Sequence, residues 1–252
     1  MDKRLINILS LVATVIVIHG FYVAFINPNV DAISALSLAT GDPLPRNVFV
    51  ILKDLEQEVC LILFAWAMLL CFQKYLEISS MDYLFDVDLF DEGDLDANKA
   101  VTYLSELEKL EPQLRESALV EIMSSALRRF ALTKNIESAA NAIEPALEIM
   151  SVKNDNNLSI IKYIAWAIPS IGFLGTVRGI GQAMSQAKEA VGGDIGPMTS
   201  SLGVAFNSTF VALIVSVFLM MVLTYLQNEQ DSQLVKIKGY TEKYLINRIK
   251  HD

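Results

Sequence analysis

The sequence predicts an all-α membrane protein with four transmembrane helices, a small helical cytoplasmic segment and long helices extending into the cytoplasm. Hydrophobic residues make up 53% of the 252-residue chain, and its mean hydropathy of +0.40 is high for a water-soluble domain. Four apolar runs are long enough, alone or with their flanks, to cross a bilayer as helices. No alternating strand pattern separates them.

The apolar runs divide the chain into eight segments. They are a first transmembrane helix at 1–27, a periplasmic segment at 28–54, a second transmembrane helix at 55–76, a cytoplasmic helical segment at 77–158, a third transmembrane helix at 159–187, a periplasmic loop at 188–198, a fourth transmembrane helix at 199–227 and a cytoplasmic C-terminal helix at 228–252. The first run could instead be a signal peptide, since it follows a basic start. Its apolar stretch is longer than a usual signal core, and no small-x-small site directly follows it, which favours a retained helix.

The distribution of basic residues predicts that both termini are cytoplasmic. Sixteen of the twenty Lys and Arg lie at the N-terminus, between Lys74 and Lys162, or in the C-terminal tail. The predicted outer segments hold Arg46, Lys53 and Lys188, and Arg178 lies inside a span.

Charge and motifs exclude several classes of function. An acidic run (Asp82, Asp86, Asp88, Asp91, Glu92, Asp94 and Asp96) has the pattern of a solvated linker or cap. No basic patch combines with aromatic residues on a folded face, so we expect no nucleic-acid binding. The 77–158 segment has no His or Cys, and no nucleophile, phosphate or metal motif is evident. We therefore expect neither an enzyme nor a cofactor or metal site.

Two stripes of small residues, one with a single hydroxyl and one with two, mark the last two predicted spans. The third carries Gly172, Thr176, Gly179 and Ala183 on one helical face, and the fourth carries Ala205, Thr209, Ala212 and Ser216 at the same spacing. Such stripes are typical of helix packing in membranes, and the Gly175-x-x-x-Gly179 spacing also allows two helices to approach closely. They also suit an ion path. The fourth span has no acidic residue, so a titrating carboxylate would come from a second protein.

These residues resemble a known family. The stretch 167–180 (AIPSIGFLGTVRGI), which includes Pro169, resembles the proline, glycine and GTVxG signature of the MotA/TolQ/ExbB proton channel family. The stretch 202–209 (LGVAFNST) is similar to the family's small-residue segment ending in threonine. The resemblance covers roughly residues 155 to 230, and the nearest branch of the family stays open.

The resemblance implies a homopentamer in a bacterial inner membrane around a dimer of a single-span ExbD/TolR/MotB-like protein with an essential membrane aspartate. Thr176 and Thr209 would then line the ion pathway, with H+ the more expected ion and Na+ the alternative. Val204 stands where some members carry a glutamate. The powered process stays open between outer-membrane transport, envelope maintenance, motility and phage defence. The alternative function is a non-conducting membrane scaffold or sensor.

Arg178 departs from the pattern of an apolar span. Two residues along a helix turn roughly 200°, so its side chain is predicted to point away from Thr176. Arginine in mid-membrane costs at least ~2.5–3.5 kcal/mol unless it has a partner. We expect it to pair with Glu58, within one subunit or across to the next, with His19 joining an intramembrane polar network; snorkelling to the outer interface is the alternative.

The C-terminal tail alternates apolar and basic residues at helical intervals. It is predicted to pack against neighbouring subunits in a ring or to lie on anionic membrane lipid.

Overall fold

The structure is a computed structural model that describes residues 3–40, 45, 47–85, 88 and 95–249. Within these ranges the chain is helical, and a lone backbone bridge joins Leu95 to Ile249. Several charged residues of the sequence analysis, namely Arg46, Asp86, Asp91, Glu92 and Asp94, lie outside the described residues.

The helices follow one another along the chain with short connections. They are α1 Lys3–Phe21, α2 Asn27–Thr40, α3 Val48–Ile51, α4 Leu55–Ser79, α5 Ala97–Leu107, α6 Pro112–Arg115, α7 Ala118–Thr133, α8 Ile136–Asn157, α9 Ser159–Ser185, α10 Ala187–Val191 and α11 Gly196–Tyr244, with a π-helical turn at Tyr22–Ile26 and 3₁₀ turns at Asp82–Phe85 and Ile246–Arg248.

Four helical stretches are long and apolar enough to cross a membrane, which confirms the predicted fold class. They are Leu5–Ser37, Leu55–Phe85, Ile136–Ser185 and Gly196–Arg248.

The first of these stretches continues as helix well beyond residue 27. The helix widens at the π-helical turn Tyr22–Ile26, where the N–H of Asn27 donates to the carbonyl of Tyr22, five residues earlier. Pro28 follows directly and has no N–H to give to the carbonyl of Ala24. A widened turn is one way in which a helix accommodates such a break, and α2 then runs to Thr40.

The chain divides into two compact units. The first unit is Met1–Phe72 with Ile160–Leu223, and the second unit is Gln73–Ser159 with Thr224–Asp252.

The first unit exposes large apolar side chains and buries polar ones. Val17 is 67% exposed and Phe173 is 62% exposed, whereas Gln57 is fully buried and Ser208 is 1% exposed. A helical unit with this distribution matches a lipid environment, in which polar groups turn inward.

The second unit has the reverse distribution, with its own hydrophobic core. Helices α7 and α8 form its centre, and Leu119, Met123, Leu127, Ala139 and Ile143 are among the buried residues.

Local capping explains where the two central helices of the second unit begin and end. The side chain of Ser117 accepts from the N–H of Val120 at the start of α7, and Lys134 ends that helix in the left-handed conformation. The side chain of Asn135 then accepts from the N–H groups of Glu137 and Ser138 to begin α8.

Two prolines of the second unit occupy different places in their helices. Pro112 lies in the first turn of α6, where its missing N–H has no helical acceptor to lose. Pro145 lies inside α8. It leaves the carbonyl of Asn141 without its helical donor, and Asn141 is exposed, so water can take that role.

The C-terminal tail packs on its own chain. Ile237, Tyr240, Leu245 and Ile249 are buried in the core of the second unit. Its basic groups pair with carboxylates of the same unit: Lys236 with Asp82 at 3.2 Å, Lys238 with Glu144 at 2.9 Å, and Arg248 with Asp88. The apolar face of the tail therefore packs on the protein's own core, and contacts of its remaining surface with a neighbouring subunit or with lipid stay predictions.

The same ion pairs change the interpretation of the acidic run. Asp82 and Asp88 are ion-paired rather than freely solvated, and the Asp96 side chain caps α5 by accepting from the N–H of Lys99.

Candidate functional site

The glycines of α9 bring it into close contact with α11. A Cβ at Gly172 would lie 2.4 Å from that of Ala212, and one at Gly175 would lie 2.5 Å from that of Ser208. At Gly179 it would lie 2.7 Å from the backbone nitrogen of Ala205. No side chain fits at these three positions unless the helices move apart, so the stripe holds two backbones together.

Thr176 and Thr209 meet at this contact. Their hydroxyls are hydrogen-bonded to each other, and both side chains are half-buried. The Thr176 hydroxyl also lies 3.0 Å from the carbonyl of Ala205, and that of Thr209 lies 3.3 Å from the carbonyl of Gly172. Each hydroxyl has one proton to donate and several acceptors within reach. The pair can therefore redirect its hydrogen bonds when a third polar group arrives.

Ser216 compensates for a defect in α9. Pro169 has no N–H, so the carbonyl of Ala165, four residues earlier, loses its helical partner. The Ser216 hydroxyl of α11 donates to this carbonyl over 3.3 Å. In a membrane a freed carbonyl needs such a donor. Pro169 and Ser216 each lie seven residues from the threonine of their own helix, so this hydrogen bond joins α9 to α11 at a second level beside the threonine pair.

Helix α4 adds polar groups to the same contact. The side-chain amide of the fully buried Gln57 donates to the hydroxyl of Ser208 over 3.4 Å, and Ser208 in turn donates to the carbonyl of Val204 at 3.0 Å. Ser208 is adjacent to Thr209 in sequence, so α4 reaches the neighbourhood of the threonine pair.

Within the chain Arg178 does not pair with Glu58, which corrects that form of our expectation, while a pair across to the next subunit stays a prediction. Its guanidinium donates to the carboxylate of Glu56 at 2.7 Å and lies 3.7 Å from that of Asp54. Glu58 follows Glu56 by two residues, about 200° around α4, and therefore faces another neighbour.

That neighbour is His19 of α1, whose Nδ1 lies 2.7 Å from the Glu58 carboxylate. The two members of the expected network therefore meet each other but not Arg178. Arg178 is 42% exposed at its side chain and lies outside the threonine contact.

Sequence reasoning missed Asp54, Glu56 and Gln57. The available signal was the cluster of three carboxylates, at 54, 56 and 58, directly before an unbroken apolar run. Burial raises the pKa of the Asp54 carboxyl above its ordinary value, although Lys53 and Arg178 act in the opposite direction.

A helical bundle with an apolar outer surface and buried hydroxyls between two glycine-packed spans defines a multi-pass membrane protein with a polar seam. Residues 114–238, about half of the chain, match the model of the MotA/TolQ/ExbB proton channel family. The chain carries a domain of that family, and this domain includes both threonines. Members are channel or motor subunits rather than enzymes, and they work with a partner membrane protein. No curated protein and no solved structure matched the chain.

Proposed function

We propose that this protein is the ring-forming subunit of an ion-driven 5:2 rotary motor in a bacterial inner membrane. Five copies surround two copies of a single-span partner that carries a membrane aspartate. Movement of ions, H+ in preference to Na+, past the threonines turns the partner relative to the ring. The observation that carries the proposal is the hydrogen-bonded pair Thr176 and Thr209 at the glycine-packed contact of α9 with α11, inside the family domain.

The chemistry of the pair supports a shared ion site. Between Gly196 and Gln227 the chain has no acidic residue, so this part of α11 offers hydroxyls and carbonyls but no carboxylate. A buried carboxylate needs hydrogen-bond donors when it is charged, and two threonine hydroxyls supply them. With the carboxylate on the partner, this chain alone conducts little or nothing.

The orientation proposed here places both termini in the cytoplasm. The second unit has a water-soluble type of core and holds most of the basic residues outside the apolar runs. A concentration of Lys and Arg favours the cytoplasmic side of an inner membrane.

Native mass spectrometry of the complex, extracted from membranes of the source cell through a tag on this chain, tests the assembly. We expect five copies of this chain with two copies of a small protein whose one apolar run contains an aspartate. A complex of this chain alone, or with a partner without a membrane carboxylate, would support a scaffold or sensor instead.

The ion is tested separately. In vesicles containing the complex, we expect activity to persist in sodium-free medium and to stop when a protonophore is added. Activity that needs sodium and survives the protonophore would assign Na+.

A further inference from the structure

A polar cleft opens in the second unit between the end of α8 and the part of α11 that follows its apolar run. Its volume is about 430 Å³. Helix α8 lines it with five residues between Ser151 and Asn156, and α11 lines it with Gln227, Gln230 and Asp231. All of these residues belong to the second unit. A cleft of this size can hold a small molecule or a few residues of a peptide.

The lining of the cleft is almost entirely polar. Among the described residues that line it, Val152 is the one apolar side chain, and the others carry hydroxyl, amide or carboxylate groups without any positive charge. Lys153, in the same stretch of α8, pairs with Glu121 at 2.9 Å and does not line the cleft. Pockets for cofactors and other small molecules are mostly apolar. The cleft therefore suits a polar and positively charged occupant.

Gln230 is the buried member of this lining. The residue is 6% exposed, and its side chain has no hydrogen bond to any residue that the structure describes. A buried amide in this condition is unfavourable, because it has given up its hydrogen bonds with water and received none in return. A group that enters the cleft can supply the missing bond.

Asp231 adds a negative charge without a counter-ion. It is exposed and forms no ion pair within the described ranges, whereas Lys236 and Lys238 further along α11 pair with carboxylates of the same unit. Asp155, the other carboxylate of the cleft, already interacts within the chain. Asp231 is therefore the carboxylate that can receive a Lys or Arg from another molecule.

The cleft adjoins both spans of the family domain along the chain. Asn156 lies three residues before Ser159, where α9 begins, and Gln227 directly follows Leu226, the last residue of the apolar run in α11. In the proposed function the span of the partner lies against the threonines of these two helices. Its cytoplasmic flank then leaves the membrane beside them, and such flanks are rich in Lys and Arg.

We propose that the cleft binds the basic cytoplasmic flank of the single-span partner as an extended peptide. Asp231 pairs with a Lys or Arg of that flank. The amide of Gln230 hydrogen-bonds the peptide backbone, because an amide side chain can both donate to a carbonyl and accept from an N–H. This binding rests on the proposed function, from which it takes the partner, and it adds a second contact between the two proteins outside the membrane.

Site-specific photo-cross-linking in the complex, extracted through a tag on this chain, tests the binding. A photoreactive p-benzoyl-phenylalanine replaces Val152, which lines the cleft and is 57% exposed. Replacement of Val235 is the matched control, because that residue of α11 is 73% exposed in the same unit and does not line the cleft. From the first position we expect a cross-link to a partner peptide that directly flanks its apolar run and contains Lys or Arg. From the second position we expect none.

Changing the cleft should weaken this cross-link. Asp231→Asn should lower its yield by about two- to fivefold, the effect of one exposed ion pair. Glu148→Gln neutralises an exposed carboxylate of α8 outside the cleft and should leave the yield unchanged. Gln230→Met keeps the length of the side chain and should lower the yield by about two- to tenfold. It should do so without lowering the melting temperature, because the amide that it removes has no partner within the described chain.

Three results would overturn the proposal: a cross-link from Val152 to a second copy of this chain, no cross-link or an equal one from Val235, and a cross-link that neither Asp231→Asn nor Gln230→Met weakens. Native mass spectrometry of the same sample separates these results from failure of the motor function. A partner that is present in two copies but is not cross-linked at Val152 refutes the cleft alone, whereas a complex without the partner refutes both.

Discussion

The two units of this chain differ in which side chains they bury and which they expose. In the first unit Gln57 and Ser208 are buried while Val17 and Phe173 are exposed; in the second unit Met123 and Leu127 are fully buried within a hydrophobic cluster. The difference teaches that stability has a different source in each. Apolar burial from water stabilises the second unit, whereas close backbone packing and internal hydrogen bonds stabilise the first.

The largest effect is expected for a cavity in the second unit. Leu127→Ala should lower the free energy of unfolding by about 2–5 kcal/mol, because Leu127 is fully buried in that core. Leu132→Ala is the control, since Leu132 lies on the same helix and is 77% exposed; we expect a change within about 0.5 kcal/mol. Denaturant unfolding followed by circular dichroism measures both, and similar losses would contradict the assigned core.

The corresponding test in the first unit adds a methyl group to a glycine at a close helix contact. Gly179→Ala should destabilise the bundle by about 1–3 kcal/mol, because its Cβ would meet backbone atoms of Ala205 and Ser201 below 3 Å. Gly181→Ala places the same methyl in open space on the same helix and should be neutral or stabilising by roughly 0.5–1 kcal/mol. A melting temperature unchanged by Gly179→Ala would show that α9 and α11 are not in close contact.

Exchanging charges between Arg178 and the glutamates of α4 tests which ion pair stabilises the first unit. Arg178→Glu should cost about 1–2 kcal/mol, between the values for exposed and buried pairs. Adding Glu56→Arg should restore much of the loss, and adding Glu58→Arg should not. A double-mutant cycle on thermal stability measures the coupling; rescue by Glu58→Arg alone would reinstate the pairing predicted from the sequence.

The smallest effect is expected at the proline defect. Ser216→Ala removes the donor to the Ala165 carbonyl and should cost about 0.6 kcal/mol, the average for a hydrogen bond between membrane helices. Ser170→Ala removes a hydroxyl that donates within its own helix, to Trp166, and should cost less. Equal melting temperatures for the two variants would show that Ser216 does not compensate for Pro169.

The fold class could be predicted from the sequence because a bilayer requires spanning helices of a minimum length and apolar composition, and both are visible in the sequence. The meeting of Thr176 with Thr209 was likewise readable, since each sits on a small-residue face at helical spacing and only close approach suits such faces. The match of residues 114–238 confirmed the family that these two motifs indicated.

Side-chain partners between distant helices could not be read in the same way. Glu56 and Glu58 are the same residue type two positions apart, and only their positions around α4 decide that one meets Arg178 and the other His19. The surface that covers the apolar face of the C-terminal tail could not be read for a related reason: Ile237 and Leu245 specify burial, but periodicity alone does not identify what buries them.

The central claim is that ions pass the threonine pair, and proton flux into proteoliposomes containing this chain with its partner tests it most directly. Thr176→Val and Thr209→Val keep shape and remove one hydroxyl each; Thr199→Val removes an exposed hydroxyl that donates to the carbonyl of Ile195, the residue before α11. We predict that each of the first two variants assembles normally and loses most of the flux, whereas Thr199→Val keeps it. Full flux in both pair variants with normal assembly would contradict the account.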